Sequence, residues 1–163
     1  MTSIVLFICL AISFVTDIKN RKILNLVTFP AMLIGLLFHT ITNGWDGFLF
    51  SFLGILTGFG LLFIPYALKG MAAGDVKLLM AIGALKGSSF TFSSFLYIAI
   101  IGGIIALIIL LVKKDLLNSL KRIIFSAQFK TLDTLSKNEL HHAFPYGVAI
   151  VFGTLSYYGV NVL

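Results

Sequence analysis

Only six of the 163 residues are acidic, and two of them stand where an apolar run meets a polar boundary. Asp17 closes the first apolar run, and Asp75 opens a short one inside the stretch GMAAGDVKLL, residues 70–79. Two carboxylates a few ångströms apart cannot both ionise, so they share a proton. Such a pair can work on a peptide bond. One carboxylate takes a proton from water as the water attacks the carbonyl carbon. The other donates to the carbonyl oxygen and later helps to protonate the leaving amine. No nucleophilic serine or cysteine is required. The chemistry turns on whether two acids remote in the chain meet at one depth.

Each aspartate also has a plain structural role to weigh against this one. Aspartate is a preferred N-cap, and the helix dipole favours an acid there, which would account for Asp75 alone. Asp17 sits at the C-terminal end of its run, where the dipole opposes a negative charge, unless Lys19, Arg21 and Lys22 offset the cost. The other acids, Asp46, Asp115, Asp133 and Glu139, read as solvated. Glu139 with His141 and His142 is too sparse for a metal site, and neither a metal nor a cofactor is expected. The single cysteine, Cys9, excludes an internal disulfide and a cysteine-based zinc ribbon, and reads as a small apolar filler.

The elements that must position the two acids follow from composition. The chain is 59% hydrophobic and 11% charged, against about 25% charged in soluble domains. Its mean hydropathy is +1.07. That leaves too little polar surface for a soluble globule and predicts an all-α polytopic membrane protein. Apolar runs at 1–16, 24–41, 47–68, 75–85, 91–112 and 143–163 predict six transmembrane helices, the fourth about half the usual length. The first has no basic residue before it, unlike a cleaved signal peptide, and reads as an uncleaved helix.

With six crossings, Lys19, Arg21, Lys22, Lys69, Lys77 and the basic residues of 113–137 fall on one side, and only Lys86 on the other. The positive-inside rule makes the rich side cytoplasmic and the N-terminus external. Both Asp17 and Asp75 then lie at the cytoplasmic face. Between the fifth and sixth spans, Leu116, Leu117, Leu120, Ile123, Ile124 and Ala127 recur at helical spacing among lysines. This predicts a cytoplasmic amphipathic segment on anionic lipid. The net charge of +6 is thereby accounted for by topology, and no nucleic-acid partner is expected. His39 reads as an interfacial side chain, and Trp45, Tyr157 and Tyr158 as interfacial anchors. No repeat or second domain is visible, so 1–163 is expected to be a single membrane-embedded domain.

These residues resemble a known family. GMAAGDVKLL resembles the GxGD motif of type IV prepilin peptidases, with Gly70, Gly74, Asp75 and Lys77 at motif positions. DIKNRKILN is similar to the family's first-aspartate motif, D-x5-I-P-N, at Asp17, Ile23 and Asn25. Pro145, Tyr146 and Gly147 are similar to its Pro-Tyr/Phe-Gly stretch at the start of the last span. Two positions depart: Ala72 stands for the first Gly of GxGD, and Leu24 for the Pro of I-P-N. Ala is acceptable at the first provided the backbone there keeps φ negative.

The resemblance implies an aspartic endopeptidase of the cell membrane with Asp17 and Asp75 as the catalytic pair. It implies a pilin-like or archaellin-like precursor as partner, with a short basic leader followed by an apolar helix that stays among the membrane lipids. The larger members also methylate the new N-terminus and carry paired Cys-x-x-Cys motifs. This chain has neither pair and resembles the short, peptidase-only form. Rival readings are a small proton- or ion-coupled transporter, an inactive scaffold, and presenilin-like cleavage within a span. A carrier would hold its acid near the bilayer midplane rather than at one face.

Overall fold

The computed structural model describes residues 1–68, 70–112 and 146–162. The described residues are helical, with no strand among them, and form four helices: α1 (Thr2–Asn20), α2 (Asn25–Ala67), α3 (Ala73–Val112) and α4 (Tyr146–Val162). Three of these, α1, α2 and α3, are long and apolar enough to cross a membrane. The expected surface segment at 113–137, the residues Glu139, His141 and His142, and Lys69 and Pro145 lie outside the described residues. The chain divides into two compact units, Met1–Ile101 with Pro145–Leu163, and Gly102–Phe144. The described part of the second is 102–112, the end of α3.

Neither α2 nor α3 is a straight rod. Gly44 interrupts α2 with φ 58° and ψ −133°, and Gly87 interrupts α3 with φ 81° and ψ 175°. Both are left-handed values that side chains avoid and glycine adopts readily. At Gly44 the chain doubles back. Residues 35 and 51 of a straight helix would lie about 24 Å apart, yet Ser51 Oγ lies 3.2 Å from the Gly35 carbonyl oxygen. The gap between the apolar runs 24–41 and 47–68 is therefore no extended loop: one glycine makes the turn, and Asp46 is helical.

The turn at Gly87 is secured by side chains from α2. The last carbonyls of a helix have no intrahelical donor. Here Ser51 Oγ donates to the Ala84 carbonyl at 2.8 Å, and His39 Nε2 meets the Leu85 carbonyl at 3.2 Å. The first arm of α3 packs tightly on α2. A methyl on Gly35 would come within 2.6 Å of the Ala84 carbonyl oxygen, and one on Gly58 within 2.6 Å of that of Leu79. Beyond Gly87 the chain runs back along α4, with Phe90 against Tyr157 and Ile98 against Gly153.

Counting each arm, the described residues make six helical runs: 2–20, 25–43, 45–67, 73–86, 88–112 and 146–162. The run 73–86 is the short one. The core gathers around it: Leu78, Leu79, Ala81, Ile82, Ala84 and Leu85 are all buried, with Leu6, Leu10, Leu62, Ile98 and Ile150 from the surrounding helices. Many large apolar side chains remain exposed on the outer faces, among them Ile4, Leu33, Leu53, Ile64 and Ile100. That inversion suits a lipid surround.

Candidate active site

Asp17 belongs to the inward stripe of α1, whose buried residues are Leu6, Cys9, Leu10, Ser13 and Asp17. The helix ends one turn later at Arg21, which adopts φ 50° and ψ 36° and donates its N–H to the Asp17 carbonyl at 2.8 Å. Asp17 thus lies at the unfavourable end of its own helix dipole, as expected from the sequence. The compensation comes from another element. The backbone N–H groups of Gly147 and Val148, in the first turn of α4, face its carboxylate. Helix N-termini offer such donors to anions. Gly147 is required for this approach: a methyl there would sit 2.6 Å from Asp17 Oδ2. That oxygen is buried and makes no hydrogen bond with the described residues.

Asp75 is the third residue of α3, not the capping residue before it. Its N–H donates to the Ala72 carbonyl at 3.1 Å, and the Ala72 N–H donates to Asp75 Oδ2 at 3.3 Å. This back-bond is half of a capping box and satisfies one orphan donor of the helix start. The simple N-cap reading of Asp75 is corrected accordingly, though part of its carboxylate does serve the helix. Ala72 does not have a positive φ, so the alanine at this position carries no backbone strain.

The two acids are brought together. Each is only 5% exposed, and the charge of Asp17 acts on Asp75. The charge of Asp75 acts in turn on Tyr146, the first residue of α4. One end of the bundle therefore gathers polar groups from α1, α3 and α4.

The residues flanking the acids hold these helix ends in register. Ile23, in the link from α1 to α2, is wedged between two glycines. A methyl on Gly74 would lie 3.0 Å from Ile23 Cβ, and one on Gly147 would lie 3.1 Å from Ile23 Cδ1. One isoleucine thus spaces the start of α3 from the start of α4. Asn25, the first residue of α2, accepts a hydrogen bond from Lys77 Nζ at 2.9 Å, and the same ammonium lies 5.1 Å from the centre of the Phe29 ring. Lys77, a motif position in the sequence, is a tie between α2 and α3. Leu24 has φ −76° and ψ 129°. Proline would take nearly the same φ, so the turn into α2 survives without it. Gly70 donates its N–H to the Pro65 carbonyl at 2.9 Å in the link from α2 to α3.

Sequence reading missed the two α4 amides, because backbone donors carry no residue signature. It also passed over Ser13, 1% exposed and one turn before Asp17. The spacing of buried positions 6, 10, 13 and 17 is its only sequence signal. Among the described residues no group of three His, Cys, Asp or Glu gathers for a metal. What the site offers is a pair of buried carboxylates with backbone donors beside each of them, a set suited to moving protons around a bound carbonyl.

Comparison with known proteins fits this chemistry. The chain matches no curated protein and no solved structure. The model of the type IV leader peptidase family matches residues 4–107, well over half of the chain and inclusive of both aspartates. A helical membrane protein with this match and this layout belongs to the type IV leader peptidase family.

Proposed function

We propose that the chain is an aspartic endopeptidase of the cell membrane. It removes the short basic leader from type IV pilin-like, or archaellin-like, precursors at the cytoplasmic face. Asp17 and Asp75 are its catalytic pair. The observation that carries this reading is the meeting of two buried carboxylates from helices far apart in sequence. The peptidase family supports the reaction class.

In this mechanism the scissile peptide lies between the two acids. The ionised carboxylate takes a proton from water as the oxygen attacks the carbonyl carbon. The protonated partner gives its proton to the carbonyl oxygen. Collapse of the tetrahedral intermediate breaks the C–N bond, with a carboxyl proton passing to the departing amine. The α4 amides and Gly147 hold Asp17 in place, and the Ile23 wedge with the Asn25–Lys77 tie keeps Asp75 opposite it.

The six helical runs are six membrane crossings in this proposal, with the N-terminus outside and the short run 73–86 as the fourth. A precursor whose apolar helix is already in the bilayer delivers its cut site at a fixed depth. Positioning of that kind supplies much of the rate. A carrier is less well served, since Asp17 and Asp75 lie at helix ends instead of mid-helix.

The test is co-expression with a pilin-type precursor. Wild type is expected to shorten the precursor by its leader, while Asp17→Ala and Asp75→Ala leave it intact at equal expression. Processing that persists in either variant refutes the pair.

A further inference from the structure

Two buried oxygens of α1 make no hydrogen bond with the described residues: Ser13 Oγ and Asp17 Oδ2. They belong to residues one helical turn apart on the same inward stripe. Leaving a buried polar atom unpaired costs about 1–3 kcal/mol. Two such atoms one turn apart on one stripe, one a potential donor and one an acceptor, can satisfy each other.

The alternatives for the Ser13 hydroxyl are poor. The thiol of Cys9, one turn further from Asp17, is near enough to take up the Ser13 hydroxyl, but sulfur is a weak acceptor. The neighbouring Thr16 hydroxyl is already committed to the Ser13 carbonyl at 3.1 Å. Side chains four residues apart on a helix have Cβ atoms only about 5–6 Å from each other. Rotation about the side-chain torsions of Ser13 and Asp17 closes that gap with no backbone movement.

We propose that Ser13 is a positioning residue for Asp17, its hydroxyl turning from the Cys9 thiol to donate to Asp17 Oδ2 in the working site. The carboxylate is then held from two sides, by the α4 amides and by Ser13, with its orientation toward Asp75 fixed. Ser13 acts through Asp17. The proposal rests on the reading of Asp17 as half of a catalytic pair.

The experiment uses the full chain in lipid, with Ser13→Ala, Ser13→Thr and Cys9→Ala beside wild type. Processing of a synthetic precursor peptide gives kcat and KM. Infrared difference spectra against Asp17→Asn isolate the carboxyl band of Asp17. Ser13→Ala is expected to lower kcat about tenfold, less than the roughly hundredfold of a 1 Å misplacement, with KM within about twofold. It should also move the Asp17 band. Ser13→Thr keeps the hydroxyl and should restore both, and Cys9→Ala should change neither. An unmoved band in Ser13→Ala, or an unchanged kcat, overturns the proposal. So does an equal loss in Ser13→Thr with a lowered unfolding midpoint, which marks packing alone. If wild type cleaves no precursor, the peptidase reading fails instead, and the band still reports whether the Ser13–Asp17 bond exists.

Discussion

The two ends of the helix bundle treat their charges in opposite ways. At one end Lys86 is fully engaged. Its ammonium donates to Ser3 Oγ at 2.7 Å and lies 4.9 Å from the centre of the Tyr158 ring and 5.9 Å from that of Phe90. Phe7 stacks edge-on against the same tyrosine at 5.0 Å. One cation thus ties α1, α3 and α4 together beside the Gly87 turn. About 16 Å along the first arm of α3, Asp75 and Asp17 have the reverse arrangement. Glycines have removed side chains around them, a carboxylate oxygen lacks a partner among the described residues, and the charge of one acid acts on the other. The lysine end has the pairing expected of a structural lock. The acid end leaves bonding capacity unused, as a site that must accept a substrate does.

Substitutions can break or sharpen this contrast. The largest effect is expected from Gly147→Ala, whose methyl would stand 2.6 Å from Asp17 Oδ2. Displacing the carboxylate by about 1 Å should lower processing roughly a hundredfold, while circular dichroism stays that of wild type. Gly74→Ala meets Ile23 at the looser distance of 3.0 Å and should cost less, about tenfold. A wild-type rate in Gly147→Ala would mean that the placement of Asp17 is not what the acid end protects.

Lys86→Met should do the opposite. It loses a charged hydrogen bond and two ring contacts, about 1–3 kcal/mol in total. The unfolding midpoint in detergent should fall, with activity per folded molecule retained. A large activity loss at unchanged midpoint would erase the distinction between the two ends.

Asn25→Ala removes the acceptor for Lys77 and lies between these cases. A stability loss of about 0.5–1.5 kcal/mol should accompany a fall of a few-fold in processing, because the tie sets the start of α3. The same assays on Lys77→Met should give a matching loss, and the double variant little more than either single one. Full additivity would show that the two side chains do not act as a unit.

Several parts of this molecule are legible from residues alone. The apolar runs locate the helices, since hydropathy over a helical length needs no knowledge of neighbours. Their boundaries were read less well. The runs at 24–41 and 47–68 looked like two spans with a loop between, whereas α2 turns on Gly44 alone. A glycine's φ is set by the packing of the arms it joins, and nothing in the string announces it. The role of Ala72 likewise depended on a backbone angle.

By itself the sequence determined that the chain is an apolar helical protein, that its acids are few, and that Asp17 and Asp75 stand at run ends. Tertiary structure alone decided how each is sustained there. The puzzle of an acid at the C-terminal end of α1 is answered by α4, whose first amides face Asp17 across a glycine. Asn25 and Lys77, and Ile23 with Gly74 and Gly147, became partners only when the runs folded against one another. The physical reason is one of range. Hydropathy and helix dipoles act along a single segment, whereas the offset of a buried charge comes from whichever backbone packing brings within hydrogen-bond distance.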